Sequence, residues 1–242
     1  MLRYWLKTFL WMGCYCAAFV VPLTAQNTTA EKSTEAHTAP TVEPRDDVQG
    51  WPDSQIIWRL KPPFSLILFG SLRRGQHNDT FISKQIGGGF NWAFHPHFSF
   101  GAQYRHIIST PTPTRRSVEE RFQAELTPRT SLRAGFALSD RNRLEIRRLN
   151  GDVSFRFRNR VQIERPFNLG FNGHEHRFVP YISYELYYDS RTQSFVRQQI
   201  FTGARTPLVN HLTLNGFYMR QLDGQSRPGY LHVIGSFLQF DF

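Results

Sequence analysis

Residues 152–164 read DVSFRFRNRVQIE, a stretch in which two kinds of residue alternate. The odd-numbered positions are apolar except for Asn159, and the even-numbered positions are all polar or charged. Successive side chains of a β-strand point to opposite faces of the sheet, whereas a helix would mix these two sets. The stretch therefore predicts a strand with one apolar face and one charged face.

The stretch before it, residues 140–149, reads DRNRLEIRRL, and in it Leu144 and Ile146 alternate with Arg143, Glu145 and Arg147. Asn150-Gly151 lies between the two runs and is a strong signal for a two-residue hairpin turn. Such a hairpin would place the two charged faces side by side. These faces carry Arg143, Glu145 and Arg147 on the first strand and Arg156, Arg158, Arg160 and Glu164 on the second.

Alternating runs separated by turn residues continue from residue 64 to residue 242. Two of them add Arg105 and Glu185 to the polar face, and another places Val196 and Ile200 together on the apolar face. An earlier run, 55–60, predicts at most a short extra strand, because Pro62-Pro63 follows it. The predicted fold is all-β: a closed antiparallel up-and-down transmembrane β-barrel of about ten strands, with eight to twelve compatible with the pattern.

Composition favours a membrane barrel over a soluble one. Aromatic residues make up 15% of the chain and charged residues only 20%, and mean hydropathy is −0.43. Runs of about 10–15 residues are longer than the ~5–6 typical of soluble sheets. The alternative is a soluble sandwich or lipocalin-like barrel, whose apolar face would point inward. In a membrane barrel with an even number of strands, both termini would lie on the periplasmic side.

The first residues have the pattern of an export signal. Arg3 and Lys7 precede an apolar stretch, 9–21, that is short for a transmembrane helix. A helical anchor, or a lipoprotein modified at Cys14, is the alternative. No cysteine follows Cys16, so the mature chain would contain no disulfide. The predicted organisation is a signal peptide (1–25), a disordered periplasmic leader with few large apolar residues (26–50) and the barrel (51–242).

The chain ends on LQFDF, in which Leu238, Phe240 and Phe242 share one face. A terminal aromatic residue with apolar residues two and four positions before it resembles the signal read by the outer-membrane assembly machinery. The expected location is the bacterial outer membrane, and the expected partners are the lipid bilayer and that machinery. Nucleic acid is not expected as a partner despite the net charge of +10, because the cations are predicted to face the lumen of an exported protein.

The charged faces support two hypotheses about the lumen. They could form a structural set of ion pairs that plugs it, or an anion-selective constriction that binds small anionic solutes. The expected role is a non-enzymatic narrow channel, or a structural or interaction component. A barrel hydrolase acting on lipid or peptide is the alternative, although no spacing of Ser, His and acid selects a triad. The His174-Glu175-His176 segment lacks an evident third ligand, so neither a metal nor a cofactor is expected.

The hairpin also resembles a known family. RNRLEIRR at 141–148, followed by FRFRNRVQIERPF at 155–167, is similar to the uncharacterised bacterial outer-membrane proteins grouped as the domain of unknown function 2490 family. The resemblance extends over about residues 55–242, including the terminal FLQFDF. It implies an outer-membrane barrel without a known activity, and it assigns a role to no individual residue.

Overall fold

The structure, a computed structural model, describes residues 46–75, 79–112, 115–171, 174–224 and 229–242. The predicted signal peptide and most of the predicted leader lie outside these residues. The described chain forms twelve strands and one 3-10 turn, Arg133–Gly135. The strands are β1 (Asp46–Lys61), β2 (Phe64–Gly75), β3 (Thr80–His95), β4 (Phe98–Thr112), β5 (Arg115–Ser131), β6 (Ala137–Leu149), β7 (Asp152–Glu164), β8 (Phe167–Phe171), β9 (His174–Asp189), β10 (Ser194–Val209), β11 (Leu212–Asp223) and β12 (Tyr230–Asp241).

The strands close into a barrel. Antiparallel pairs run from β1 to β7, continue through β9, β10 and β11, and end at β12. β12 then pairs with β1 in parallel, from Asp46 opposite Tyr230 to Ile57 opposite Asp241. β8 pairs with β9 beyond the part of β9 that joins the wall. Within the described residues the ring therefore has eleven strands, and the predicted closed β-barrel is confirmed.

The strand number and the closure differ from the expectation of about ten antiparallel strands. The run at 55–60 belongs to a full-length β1 of 16 residues, because Pro62-Pro63 forms the turn to β2 instead of interrupting a strand. An odd number of strands puts the start of β1 and the end of β12 at opposite ends of the barrel. We call these its amino end and carboxyl end. The expectation that both termini of the wall lie on one side is therefore wrong.

β1 also begins five residues before the predicted barrel boundary at residue 51. Asp47, Gln49 and Trp51 are buried on the inner face. They are joined by side-chain hydrogen bonds of 2.9 Å, from Gln49 Nε2 to Asp47 Oδ2 and from Trp51 Nε1 to Gln49 Oε1. Asp47 and Gln49 have the polar composition of a leader. They nevertheless belong to the strand, where each has a hydrogen-bond partner on the buried inner face.

The two faces of the wall have opposite character. Phe155, Ile182 and Ile234 point outward and are 51%, 53% and 69% exposed, whereas Glu145 and Glu185 point inward and are 0% exposed. A soluble barrel buries its apolar face and exposes its polar one. The observed arrangement is the inverse and is that of a transmembrane β-barrel. Within the described ranges, no helix is long and apolar enough to cross a membrane.

Part of the inner face is nevertheless apolar, which the alternation did not predict. A buried cluster lies on five consecutive strands of the ring, β9, β10, β11, β12 and β1, and we call it the apolar arc. It reduces the open cross-section on that side of the lumen. Its members are Trp51, Tyr181, Phe201, Met219, Leu231 and Val233, with Phe217 packed against them.

Two inward aromatic rings fit because their cross-strand neighbours have no side chain. Phe217 lies opposite Gly235, where a Cβ atom would be 2.1 Å from the ring. Phe69 lies opposite Gly87, where a Cβ atom would be 2.5 Å from the ring and 2.2 Å from the carbonyl oxygen of Tyr104. The glycine run at 87–89 thus leaves room for a lumenal ring instead of cradling a phosphate.

Candidate functional site

The barrel encloses a cavity of about 1040 Å³, to which all eleven strands of the ring contribute side chains. We call it the lumenal cavity. It extends to Arg191 and Thr192 in the turn after β9, and so reaches the amino end of the barrel. Its volume is at the upper end of the ~300–1,000 Å³ typical of small-molecule sites.

Most of the residues predicted to line the lumen do surround this cavity. Glu145 instead lies fully buried in the wall beside Arg158. Glu164 pairs with Arg205 of β10 and not with an arginine of its own strand. The predicted residues that line the cavity are Arg105, Arg143, Arg147, Arg156, Arg158, Arg160 and Glu185.

Arg158 is central to the charged part of the wall, which β5, β6, β7 and β9 form. Its Nη1 donates to Glu145 Oε1 at 2.8 Å, and its Nη2 lies 2.9 Å from Glu185 Oε1. The hairpin register makes this possible, because Glu145 lies next to Arg158 on the inner face while Glu185 comes from the neighbouring β9. Arg158 therefore joins three strands through charge-assisted hydrogen bonds.

A second group of charges lies nearer the amino end. Asp189 Oδ2 accepts from Arg156 at 2.7 Å and from Arg147 at 3.2 Å, and Arg147 also donates to Glu119 at 2.6 Å. Asp189 is 1% exposed although it precedes the turn to β10. A position next to a turn gives no signal for such a role, so sequence reasoning missed it. The sequence does indicate that Glu119 faces the lumen, since the alternation of β5 places it on the polar face.

Arginine is in excess around the cavity. Eleven arginines and six carboxylates are among the described residues that line it. Glu145, behind Arg158, brings the carboxylates to seven and leaves four more cations than anions. Among the described residues that line the cavity, together with Glu145, positive charge therefore exceeds negative charge, which gives the cavity a positive potential. The carboxylates on the lining are Asp53, Glu119, Glu125, Glu185, Asp189 and Asp223.

Three lumenal arginines have no described carboxylate within 4 Å, and each stacks on an aromatic ring instead. The guanidinium carbon lies 3.7 Å from the ring centroid of Trp51 for Arg73, 4.0 Å from that of Phe69 for Arg105 and 4.0 Å from that of Phe201 for Arg160. Stacking holds the guanidinium plane but leaves its edge free to donate hydrogen bonds.

The polar contacts of these three arginines are few. Arg105 Nη2 donates to Gln103 at 3.2 Å, and its Nε is buried without a partner. Arg160 Nε donates to Ser183 at 3.0 Å. Arg73 reaches Gln85 at 3.1–3.2 Å when that amide presents its oxygen. Most of their N–H groups are therefore available to a bound anion.

The histidines are placed away from the cavity. None of those described lines it. His106 and His232 lie on the outer face, the latter hydrogen-bonded to Tyr218 at 2.7 Å, while His95, His97 and His211 lie at turns or strand ends. The segment 174–176 begins β9 and pairs with β8. In the described parts of the chain, no three His, Cys, Asp or Glu residues converge as metal ligands.

The predicted assembly residues lie along β12. Leu238 contributes to a shallow groove on the outer surface, and Phe242 is 57% exposed with its ring stacked 5.9 Å from that of His211. The backbone of Phe242 also joins β1, since its N–H donates to Ile57 at 2.9 Å and its carbonyl accepts from Arg59 at 2.7 Å. The last residue thus takes part in closing the ring.

The family model described as "Protein of unknown function (DUF2490)" matches residues 48–230. The chain belongs to this family. DUF2490 was the family indicated by the arginine hairpin, so that expectation is confirmed. No curated protein matches the chain.

Three solved structures are similar to this DUF2490 protein. The β-domain of the Bordetella autotransporter BrkA has a TM-score of 0.45 and 12% identity, covering 72% of this chain and 89% of its own. LpxR from Salmonella typhimurium has a TM-score of 0.40 and 9% identity, covering 70% and 80%. The siderophore receptor PirA from Pseudomonas aeruginosa has a TM-score of 0.29 and 13% identity, covering 71% and 34%.

Proposed function

We propose that this protein is a non-enzymatic barrel of the bacterial outer membrane that acts as a narrow channel for small anionic solutes. The observation that carries the proposal is the excess of arginine around the lumenal cavity. Rings of arginine or lysine favour anions in pores because they replace part of the hydration that an anion loses on entering. A cation would meet the same charges as a barrier.

The membrane environment follows from the outer surface. Outward side chains such as Phe155 and Ile182 are more than half exposed in the isolated chain. Apolar surface on this scale is stable in lipid, where it costs nothing to expose. The proposed route is export through the signal peptide, residues 1–25, followed by insertion by the outer-membrane assembly machinery. We place the carboxyl end of the barrel in the periplasm and the amino end outside, which puts the start of β1 outside and departs from the expectation of a periplasmic leader.

Conductance of the refolded protein in a planar bilayer tests the channel. Under a KCl gradient, the reversal potential should show anion selectivity. Arg105→Gln should lower that selectivity, because it removes a lumenal cation that no carboxylate balances. The matched control is Arg148→Gln, since Arg148 lies on the outer face with a 64% exposed side chain paired to Glu120. Absence of conductance, or cation selectivity, contradicts the proposal.

The same sample should be assayed for lipid and peptide hydrolysis. Hydrolysis of a lipid or a peptide would contradict the channel proposal and favour the barrel hydrolase.

The orientation of the barrel is tested by labelling single cysteines with a membrane-impermeant reagent in intact cells. Asn150→Cys, in a turn at the amino end, should react, and His97→Cys, in a turn at the carboxyl end, should not. The reverse result would invert the orientation.

A further inference from the structure

We infer that the lumenal cavity contains a binding site for amphipathic organic anions, in which Arg160 holds the carboxylate and the apolar arc packs against the body of the ligand. The inference rests on the proposed function in one respect, namely that anions enter the lumen. It adds the chemical class of the ligand and the residues that select it.

The first observation is that the lumen has two unlike walls. The charged wall comes from β5, β6, β7 and β9, and the apolar arc extends from β9 through β12 to β1. Small-molecule sites are mostly apolar, with a few polar groups that fix orientation. Apolar side chains offer no favourable contact to a small hydrophilic ion, but they can pack against the apolar part of a larger ligand. The members of the arc that line the cavity are Trp51, Tyr181, Phe201, Phe217 and Leu231.

The second observation is where the unmatched cations lie. Arg160 on β7 and Arg73 on β2 are on the strands just beyond the two edges of the apolar arc. Each stacks on an aromatic residue of the arc, Arg160 on Phe201 and Arg73 on Trp51. A cation therefore adjoins apolar surface at each edge, which is the pattern that complements a ligand with an acidic group and an apolar body.

Arg160 is the better carboxylate site of the two. Its Nε donates to Ser183 at 3.0 Å, and neither Nη group bonds to a described residue. Arg73 instead has both its Nε and Nη2 directed at Gln85. A free pair of Nη groups matches the two oxygens of a carboxylate, which binds the guanidinium fork in a bidentate manner. Stacking on Phe201 fixes the plane of that fork before a ligand arrives.

Isothermal titration of the refolded full-length barrel with 2-naphthoate tests the site. Two comparison ligands test the carboxylate and the apolar ring system separately. Acetate has the carboxylate without the rings, and 2-naphthalenemethanol has the rings without the charge. We expect saturable binding of 2-naphthoate and at least tenfold weaker binding of both comparison ligands. Equal affinity for acetate, or for the alcohol, would overturn the inference.

Two variants then locate the site. Arg160→Gln should weaken 2-naphthoate binding at least tenfold, and Phe201→Leu should weaken it several-fold while retaining the cation. Arg148→Gln, on the outer face, should bind as the wild type does. Heat-modifiable gel mobility shows which variants are folded. Unchanged affinity in a folded Arg160→Gln or Phe201→Leu barrel would contradict the assignment.

Bilayer recordings separate this inference from the proposed function. If the barrel is anion-selective but 2-naphthoate neither binds nor blocks the current, the site is wrong and the channel stands. If 2-naphthoate binds in an Arg160-dependent manner but no current is seen, the channel is wrong and the binding site stands.

Discussion

Glu145→Gln probes the charged wall at its most buried carboxylate. Glu145 is 0% exposed, and its Oε1 lies 2.8 Å from Arg158 Nη1 and 3.7 Å from Arg121 Nη1. Glutamine has nearly the same shape but no charge, so the change removes two electrostatic contacts and leaves no cavity. Arg158 would then depend on Glu185 alone, and Arg121 on Glu119.

The structure sets the size of the effect. Removing one partner of a buried ion pair typically costs ~3–5 kcal/mol, because an unmatched charge remains in a poorly solvated site. Both arginines keep a second carboxylate, at 2.9 Å and 2.8 Å, so the expected loss is at the lower end, ~3 kcal/mol. With a urea dependence of ~2 kcal/mol per molar, the unfolding midpoint should fall by about 1.5 M.

Urea unfolding of the refolded barrel, followed by heat-modifiable gel mobility, gives the measurement. The matched control is Glu120→Gln, one strand away on the outer face. Glu120 is half exposed and lies 3.8 Å from Arg148, so its loss should change stability by only ~0–1 kcal/mol. Equal midpoints for the two variants, or a more stable Glu145→Gln barrel, would refute the argument that buried Glu145 stabilises the wall by neutralising Arg158 and Arg121.

Three further experiments test other features of the barrel. Val161→Arg puts a charge on the lipid-facing side and should cost ~2–4 kcal/mol near the midplane. Arg158→Leu should destabilise the barrel, because it removes the cation that Glu145 and Glu185 share and leaves them with Arg121 and Arg141 alone. A tolerated Val161→Arg together with a stabilised Arg158→Leu would mean that the faces are assigned the wrong way round. Gly87→Ala should cost ~1–3 kcal/mol by crowding the ring beside it, while Gly216→Ala, with open space around the added methyl group, should be nearly neutral in the same urea assay. Phe242→Ala keeps the backbone bonds to β1 and should lower the amount of barrel in outer-membrane fractions without shifting its unfolding midpoint; unchanged amounts would show that the terminal ring is no assembly signal.

The arginine hairpin was predictable because all its information is local. Alternation fixed which side chains share a face, and the Asn150-Gly151 turn fixed the register. Both turn residues have positive φ, 51° and 105°, as a two-residue hairpin of this type requires. That register puts Glu145 directly opposite Arg156 and diagonal to Arg158, so it predicts an arginine of β7 beside Glu145, while the ion pair itself is made with Arg158.

Other features depend on contacts between distant parts of the chain. Val196 was expected on the outer face with Ile200, but it is 7% exposed and lines the cavity. A bulge between Phe195 and Arg197 adds one residue to β10 and reverses the alternation there. The apolar arc was missed because its strands carry apolar residues on both faces, so periodicity does not say which of these residues point inward. Asp189 bonds to nearby Arg191, but its other two arginines, Arg147 and Arg156, lie 42 and 33 positions away on the hairpin, and no local pattern indicates those contacts.

The parallel seam between β1 and β12 has a consequence for how the protein folds. It joins residues far apart in the chain: the side chains of Gln55 and Gln239, 184 positions apart, hydrogen-bond across it at 2.9 Å. The other pairings of the ring connect strands that are near neighbours in sequence, and such local contacts form at a smaller entropic cost. We therefore expect closure of the wall to be the last step of folding. Until it occurs, the growing sheet has two open edges, formed by the first and last strands, and both must be kept from pairing with other molecules.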